Sequence, residues 1–254
     1  MEKSTEFIVN RVMKNNFSLA FESLLQPIFD TSSFKCVGTE MLIRGVHRRN
    51  LIAPNLFINR LEENGGIVSL GEHVIEMAFS YMAEVITPHN AAYPLHLNLS
   101  PVQFNDEGFA GRVCALATRL AVPVGRIVFE ITDNDISLDD TGRDNALRLR
   151  EAGFLMAWDN IHGVNQLQDR LTLLSVEFIK LDRACFKASC TDETLNIVRC
   201  AQDHEVDVIA EGVETFSQMQ MLFNNNVRMA QGFLFSRPLD RDSFRRKYLL
   251  MVDA

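Results

Sequence analysis

The stretch "FLMAWDNIHGVNQLQDRL", residues 154–171, holds the unit from which the fold is built. Residues 154–159 form a short apolar run with the length of a buried strand, and residues 163–171 read as the helix that follows it. The run stops on Asp159, and Asn160, Ile161, His162 and Gly163 make the turn. Two readings of that stop are open. Either it is an ordinary strand end, or it is half of a site with one carboxylate missing.

The same unit recurs on both sides. "PLHLN" (94–98) precedes "EGFAGRVCALATRLA" (107–121), and "RIVFE" (126–130) precedes "GRDNALRLREAG" (142–153). "VEFIK" (176–180) precedes "DETLNIVRCAQDHE" (192–205), and "VDVIAE" (206–211) precedes "TFSQMQMLFNNN" (215–226). Five consecutive strand-then-helix units predict a parallel sheet. The chain begins differently. "LAFESLLQPIFD" (19–30) and "SFKCVGTEMLIRG" (33–45) flank a short polar turn, which predicts an antiparallel hairpin. Helical patterns follow over 55–64 and 67–86, the first with Pro near its start and Gly after it.

The runs end on Asn98, Glu130, Asp159, Lys180 and Glu211, each able to ligate a metal or handle a proton. One such ending is an ordinary polar strand end; five in succession are a pattern. In a (β/α)8 barrel all parallel strands point their C-termini at one face, and that face carries the site. Three acids, an amide and a lysine are therefore expected in one bowl, with Glu40 of the second strand as a fourth acid. Oxygen donors of this kind suit Mg2+ or Mn2+. Acids with one lysine suit metal-assisted hydrolysis of a phosphodiester.

Composition sets the outer bounds. The 254 residues are 47% hydrophobic, ample for one large core, and the net charge is −8. That charge argues against direct nucleic-acid binding, which needs a basic face; "RDSFRRK" (241–247) reads as a C-terminal helix with cations in its last turns. Cys36, Cys114, Cys185, Cys190 and Cys200 show neither zinc spacing nor a disulfide framework. "MEKSTEFIVNRVMKNN" (1–16) reads as a short amphipathic helical lead-in rather than a signal peptide. With no run of transmembrane length, the expectation is a cytoplasmic protein without a membrane span.

Longer motifs carry a resemblance. "TEMLIRG" (39–45), "LNLSPVQF" (97–104), "FEITDN" (129–134), "FIKLD" (178–182), "VIAEGVET" (208–215) and "AQGFLFSRPL" (230–239) resemble, in order, the motifs of the EAL-domain family of cyclic di-GMP phosphodiesterases. The resemblance implies a single EAL-like domain over 1–254, a modified (β/α)8 barrel of TIM type with an antiparallel, hairpin-like start. It implies that Glu40, Asn98, Glu130 and Asp159 ligate a first divalent ion, Mg2+ or Mn2+. Lys180 would position the attacking water, and Glu211 would meet a second ion or act as base. Glu214 and Gln231 would complete the inner shell, and Arg44 would contact a substrate phosphate.

The opening stretch is where the chain departs from that family. The family reads Asp-Asp-Phe-Gly-Thr-Gly after this strand; here the second acid is Asn160, and Ile161, His162 and Gly163 replace the glycine-rich loop. Asp133 stands for the glutamate that anchors that loop, Met41 for an alanine, and Gly45 for a large aromatic. An amide brings no charge and no base, so the second-metal side is degenerate and the catalytic set vestigial. Three readings remain. The first is a stand-alone, non-hydrolysing regulator in motility or virulence control that binds a protein partner, such as the flagellar master transcription regulator bound by similar enteric proteins. The others are a cyclic di-GMP receptor and an active phosphodiesterase giving pGpG. On the first, cyclic di-GMP binding is weak or absent and a metal need not be bound. His162 is expected to be solvated, and Trp158 and the methionines of 218–222 to serve packing.

Overall fold

The computed structural model describes residues 2–89, 92–132, 137–186 and 191–250. Asp133 lies outside the described residues. The strands are β1 (Phe21–Asp30), β2 (Cys36–His47), β3 (Asn50–Ile52), β4 (Leu95–Leu99), β5 (Ile127–Ile131), β6 (Leu155–Ile161), β7 (Phe178–Leu181), β8 (Asp207–Ala210) and β9 (Met229–Ala230). Helix α1 (Glu2–Met13) precedes them. Between β3 and β4 lie α2 (Ile58–Glu63), α3 (Gly66–Tyr81) and α4 (Thr87–His89). The crossovers then carry α5 (Pro101–Phe104) and α6 (Phe109–Arg119), α7 (Asp140–Glu151), α8 (Val164–Leu173), α9 (Thr191–Asp203) and α10 (Phe216–Asn224). Helix α11 (Arg241–Phe244) follows β9.

The sheet runs β1-β9-β8-β7-β6-β5-β4-β2, and β1 pairs back with β2, which closes an eight-stranded barrel. Strand β1 is antiparallel to both ring neighbours, β2 and β9. The other ring pairings are parallel. The hairpin start and the five β-then-α units are thus as the sequence predicts. Two strands were too short to show a period: β3, an edge strand on β2, and β9, which closes the ring.

Strand β6 corrects the reading of the opening stretch. It does not end on Asp159 but continues through Asn160 to Ile161, which pairs with Leu181 across a register shift and is wholly buried. Asn160 takes up the extra residue with φ of 56°, a left-handed conformation that asparagine tolerates better than most residues. Ile161 is therefore a barrel residue rather than part of a rebuilt loop.

Two apolar cores form. The larger fills the barrel and the layer between strands and helices, with Trp158, Phe129, Phe154 and Phe104 among its largest members. Met219 and Met221 of α10 pack against it, as expected for core methionines. The smaller joins Ile8 and Val12 of α1 to Phe21, Ile52, Phe57, Leu61, Ile67 and Leu70. It explains Gly45: a Cβ there would stand 3.0 Å from both Ile8 Cδ1 and Cγ1 and 3.3 Å from Ile52 Cβ. Helix α1 lies where a larger side chain at 45 would go. Gly45→Phe is expected to cost about 1–3 kcal/mol through overpacking. Combined with Ile8→Ala the two costs should fall short of additive, as read from denaturant midpoints.

Candidate active site

Apart from Glu40 and Arg44, which lie within the long β2, each functional side chain sits at or just past the C-terminal end of a barrel strand. Register sets the neighbours: Asn98 pairs with Glu130 and Glu40 with His96. Past β4, Ser100 caps α5 by accepting from the Val102 N–H, while Gln103 Oε1 accepts from the Ser100 N–H at 3.0 Å. Glycine at 71 is required for this cap to fit, because a Cβ there would lie 1.7 Å from Gln103 Nε2. A second box, Thr215 with Gln218, holds the turn after Glu211 and Glu214.

At the centre is Lys180, 1% exposed. Its ammonium stands 2.6 Å from Glu211 Oε1, 2.8 Å from Glu130 Oε2 and 2.9 Å from Glu40 Oε2. Asn98 Nδ2 donates to Glu40 Oε1 at 2.5 Å. Gln231 Nε2 donates to Glu40 Oε2 and Glu211 Oε1, each at 2.7 Å. The Thr132 hydroxyl donates to Asp159 Oδ2 at 3.1 Å, and the Asn160 N–H to Asp159 Oδ1 at 2.7 Å. The structure thus draws Glu40, Asn98, Glu130, Lys180, Glu211 and Gln231 into one bonded cluster, with Asp159 beside it.

The charges explain the titration behaviour. Three buried carboxylates, Glu40, Glu130 and Asp159, and the partly exposed Glu211 face the Lys180 ammonium. Burial raises Glu130 and Glu211 well above the ordinary glutamate value, and raises Asp159 as well, with Lys180 opposing in each case. Burial would also raise Glu40, but Lys180, Gln231 and Asn98 outweigh it and hold Glu40 below its ordinary value. Lys180 is itself held well above its usual value, because the carboxylates outweigh its burial. A carboxyl raised on folding stabilises fully below its unfolded value, and that contribution is lost as pH rises through the raised value. Glu40 works the other way, contributing above its unfolded value and losing that contribution in acid. With three acids raised and one lowered, chelated protein is expected to lose stability as pH rises above the ordinary carboxylate range. Mg2+ should flatten that slope, because a bound cation displaces the protons; melting curves with and without chelator check it.

The donor set fits a hard divalent cation. It offers carboxylate and amide oxygens in excess of local positive charge, and Gln231 Oε1 is buried with no hydrogen-bond partner. Glu40, Asn98, Glu130 and Asp159 are the residues that would hold the ion. Among the described residues no three side chains stand ready-made as a metal cage; Lys180 lies between three of the acids.

A cavity of about 420 Å3 opens above the cluster, lined by Glu40, Arg44, Asn98, Thr132, Asp159 and Glu211 among others. Arg44 is half-buried there, and burial lowers its pKa somewhat. A second pocket of about 250 Å3 adjoins it, lined by Glu211, Glu214, Gln231 and Phe233 among others. Glu214 is exposed in that pocket and makes no bond to the cluster. His162 is also exposed, its Nδ1 3.1 Å from the Asn160 carbonyl, so it is no part of the cluster. Gly163 is the extended N-cap of α8.

Sequence reasoning missed three supporting residues. His96 is 1% exposed, its Nδ1 2.8 Å from Glu130 Oε1, and burial pushes its pKa down to about 3, so the ring is neutral. It lies two residues before Asn98 on the same strand face, which the strand period could have revealed. Thr132 follows Glu130 by two in the same way. Arg170 of α8 donates to the Asp159 carbonyl at 2.6 Å and lies over the Trp158 ring at 5.4 Å. Trp158 in turn donates to the Leu174 carbonyl at 3.0 Å, a packing role as expected.

Comparison with known proteins agrees with this geometry. The profile of the EAL domain matches residues 10–238. The chain belongs to the EAL domain family. It is 27% identical over 245 residues to the probable cyclic di-GMP phosphodiesterase PdeN of Escherichia coli (strain K12), covering 94% of this chain and 46% of PdeN. It therefore spans less than half of that relative's length. Among solved structures, the EAL enzyme Bd1971, bound to cAMP and cyclic di-GMP, superposes with a TM-score of 0.86 at 24% identity, covering 95% of this chain and 68% of that one. PaMucR phosphodiesterase in complex with cyclic di-GMP gives 0.82 at 23% identity, covering 94% and 99%. EAL phosphodiesterases use divalent metal ions. No helix among the described residues is long and apolar enough to cross a membrane.

Proposed function

We propose that residues 1–254 act as one EAL-like unit, with 1–16 as lead-in, that keeps a first-metal cluster but does not turn over cyclic di-GMP, and that regulates by binding a protein partner. The observation that carries this is Asn160. The position that follows Asp159 bears an amide, with φ of 56°, and its side chain makes no hydrogen bond among the described residues. A two-metal displacement clamps attacking and leaving oxygens together. Here the carboxylate for the second clamp is absent. When bound, a divalent ion would supply positive charge opposite the phosphodiester oxygens. Around it, Arg44 would pair with a phosphate, and Lys180 would hold the carboxylates together.

Purified protein is expected to show negligible conversion of cyclic di-GMP to pGpG with Mg2+ or Mn2+, and weak cyclic di-GMP binding. Robust turnover would overturn this reading. The partner class suggested by the resemblance is the flagellar master transcription regulator, with motility or virulence as output. If association is the mode of action, Glu40→Ala should leave the cellular effect intact, because that effect needs no metal. A Glu40 variant that behaved like a deletion would show the site in use.

The intact cluster favours a second reading, an active Mg2+- or Mn2+-dependent phosphodiesterase. Seven of the expected residues, Glu40, Asn98, Glu130, Asp159, Lys180, Glu211 and Gln231, lie together at the barrel mouth. The hydrolysis assay separates the two.

A further inference from the structure

Beneath the acidic cluster, one layer into the barrel, stands His96. It sits two residues below Asn98 on β4 and packs edge-on against Phe178 of β7, with ring centroids 5.6 Å apart. Both rings face the barrel interior, where an apolar side chain would fill the space without the cost of burying an imidazole. What the imidazole does there is hold Glu130. This carboxylate is wholly buried. Its Oε1 faces His96 Nδ1 at 2.8 Å and its Oε2 faces Lys180 Nζ at 2.8 Å. The two oxygens are thus held from opposite sides. A carboxylate gripped at one oxygen can still rotate about its terminal bond; one gripped at both cannot. A carboxylate oxygen only accepts, so a ring bonded to it through Nδ1 carries an N–H there.

We propose that His96 is a positioning residue for the metal site: its Nδ1–H fixes the plane of the Glu130 carboxylate and thereby sets divalent-cation affinity. This deepens, and rests on, the reading of Glu130 as a first-metal ligand. The arrangement is the usual outer-shell pairing with partners exchanged. A carboxylate commonly orients a ligating histidine; here a histidine orients a ligating carboxylate. Lys180 cannot do this alone, because its ammonium is shared with Glu40 and Glu211. A cation that drew Lys180 aside would leave His96 as the fixed contact.

The test uses Mn2+ alone as probe, in calorimetric titrations of the whole chain, alongside melting in chelator. His96→Leu and His96→Ala remove the donor; His96→Asn keeps an N–H close to the place of Nδ1. Donor loss is expected to weaken Mn2+ binding by about ten- to a hundredfold. His96→Asn should stay within about threefold of wild type, a difference of well under one order of magnitude in affinity. Melting in chelator should not follow that order, since leucine refills the apolar layer while asparagine does not. If His96→Leu fails to fold, His96→Ala carries the same comparison. Wild-type Mn2+ affinity retained by His96→Leu or His96→Ala would overturn the positioning role alone. So would affinities that merely tracked melting temperature across the three variants. Wild-type protein that bound no Mn2+ would overturn the metal reading, and this role with it.

Discussion

Lys180→Met is expected to cost about 3–5 kcal/mol of stability at neutral pH, the largest effect of any single change at the site. Methionine matches the length of the aliphatic stem, so the loss is one of charge rather than volume. Lys180 is 1% exposed and, among the described residues, is the one ammonium bonded to Glu40, Glu130 and Glu211. Without it, three bonded carboxylates and Asp159 lie together at the floor of the cavity, largely withdrawn from water, and each raises the others' pKa values. The variant can respond by taking up protons. Its deficit should therefore shrink as pH falls toward the ordinary carboxylate range and widen as pH rises, opposite in sense to the loss of a surface pair to salt. Mg2+ or Mn2+ should restore part of the stability, because a divalent ion supplies the missing charge, and the recovery should grow with concentration as mass action requires. Urea midpoints at two pH values, each with chelator and with metal, decide the matter. A variant as stable as wild type at neutral pH would mean that the carboxylates are kept neutral by other means.

The parts of this site that the sequence revealed are those fixed by strand direction. In a parallel barrel a polar residue that ends an apolar run faces the same rim as every other such residue, so Asn98, Glu130, Asp159, Lys180 and Glu211 could be placed together before any distance was known. Glu40 was harder, because it lies mid-strand in a long β2 that projects past the rim. The bulge at Asn160 was hidden, since an inserted residue breaks the alternation on which strand length is judged. That is why Ile161 read as a loop residue. His96 was hidden for a different reason: it lies two residues before the strand's last polar residue, in an interior layer that also carries chemistry. Glu214 shows the opposite limit. Motif position assigned it to the inner shell, but the turn held by Thr215 and Gln218 leaves it exposed in the adjoining pocket. The central place of Lys180 among the acids follows from side-chain reach across the barrel, which no spacing in the sequence encodes.

Asn160→Asp should strengthen Mg2+ and Mn2+ binding by on the order of tenfold or more, with little change in stability. The substitution is nearly isosteric, and aspartate, like asparagine, tolerates the left-handed backbone that φ of 56° demands. The backbone bonds of this position survive as well: its N–H still reaches Asp159 Oδ1, and its carbonyl still accepts from Gln166 Nε2 at 3.2 Å. What changes is one formal charge beside a site already rich in carboxylates. In chelated protein that charge is a liability, so the variant should be slightly less stable than wild type above about pH 5 and should overtake it when metal is added. Hydrolysis should recover little. Ile161 is locked into β6 by its pairing with Leu181, and its carbonyl accepts from the Asp182 N–H at 3.0 Å, so the backbone after the new acid keeps the course of a bulged strand. Replacing 160–163 by the family's Asp-Phe-Gly-Thr-Gly together with Asp133→Glu should recover more turnover than the single change, measured as pGpG release. Full activity from Asn160→Asp alone would reduce the defect to one missing charge. Tighter metal binding without turnover, even after the full rebuild, would move the defect to Met41, which follows Glu40 on β2 and is buried in the larger apolar core, and to Gly45, where α1 has taken the room of a larger side chain.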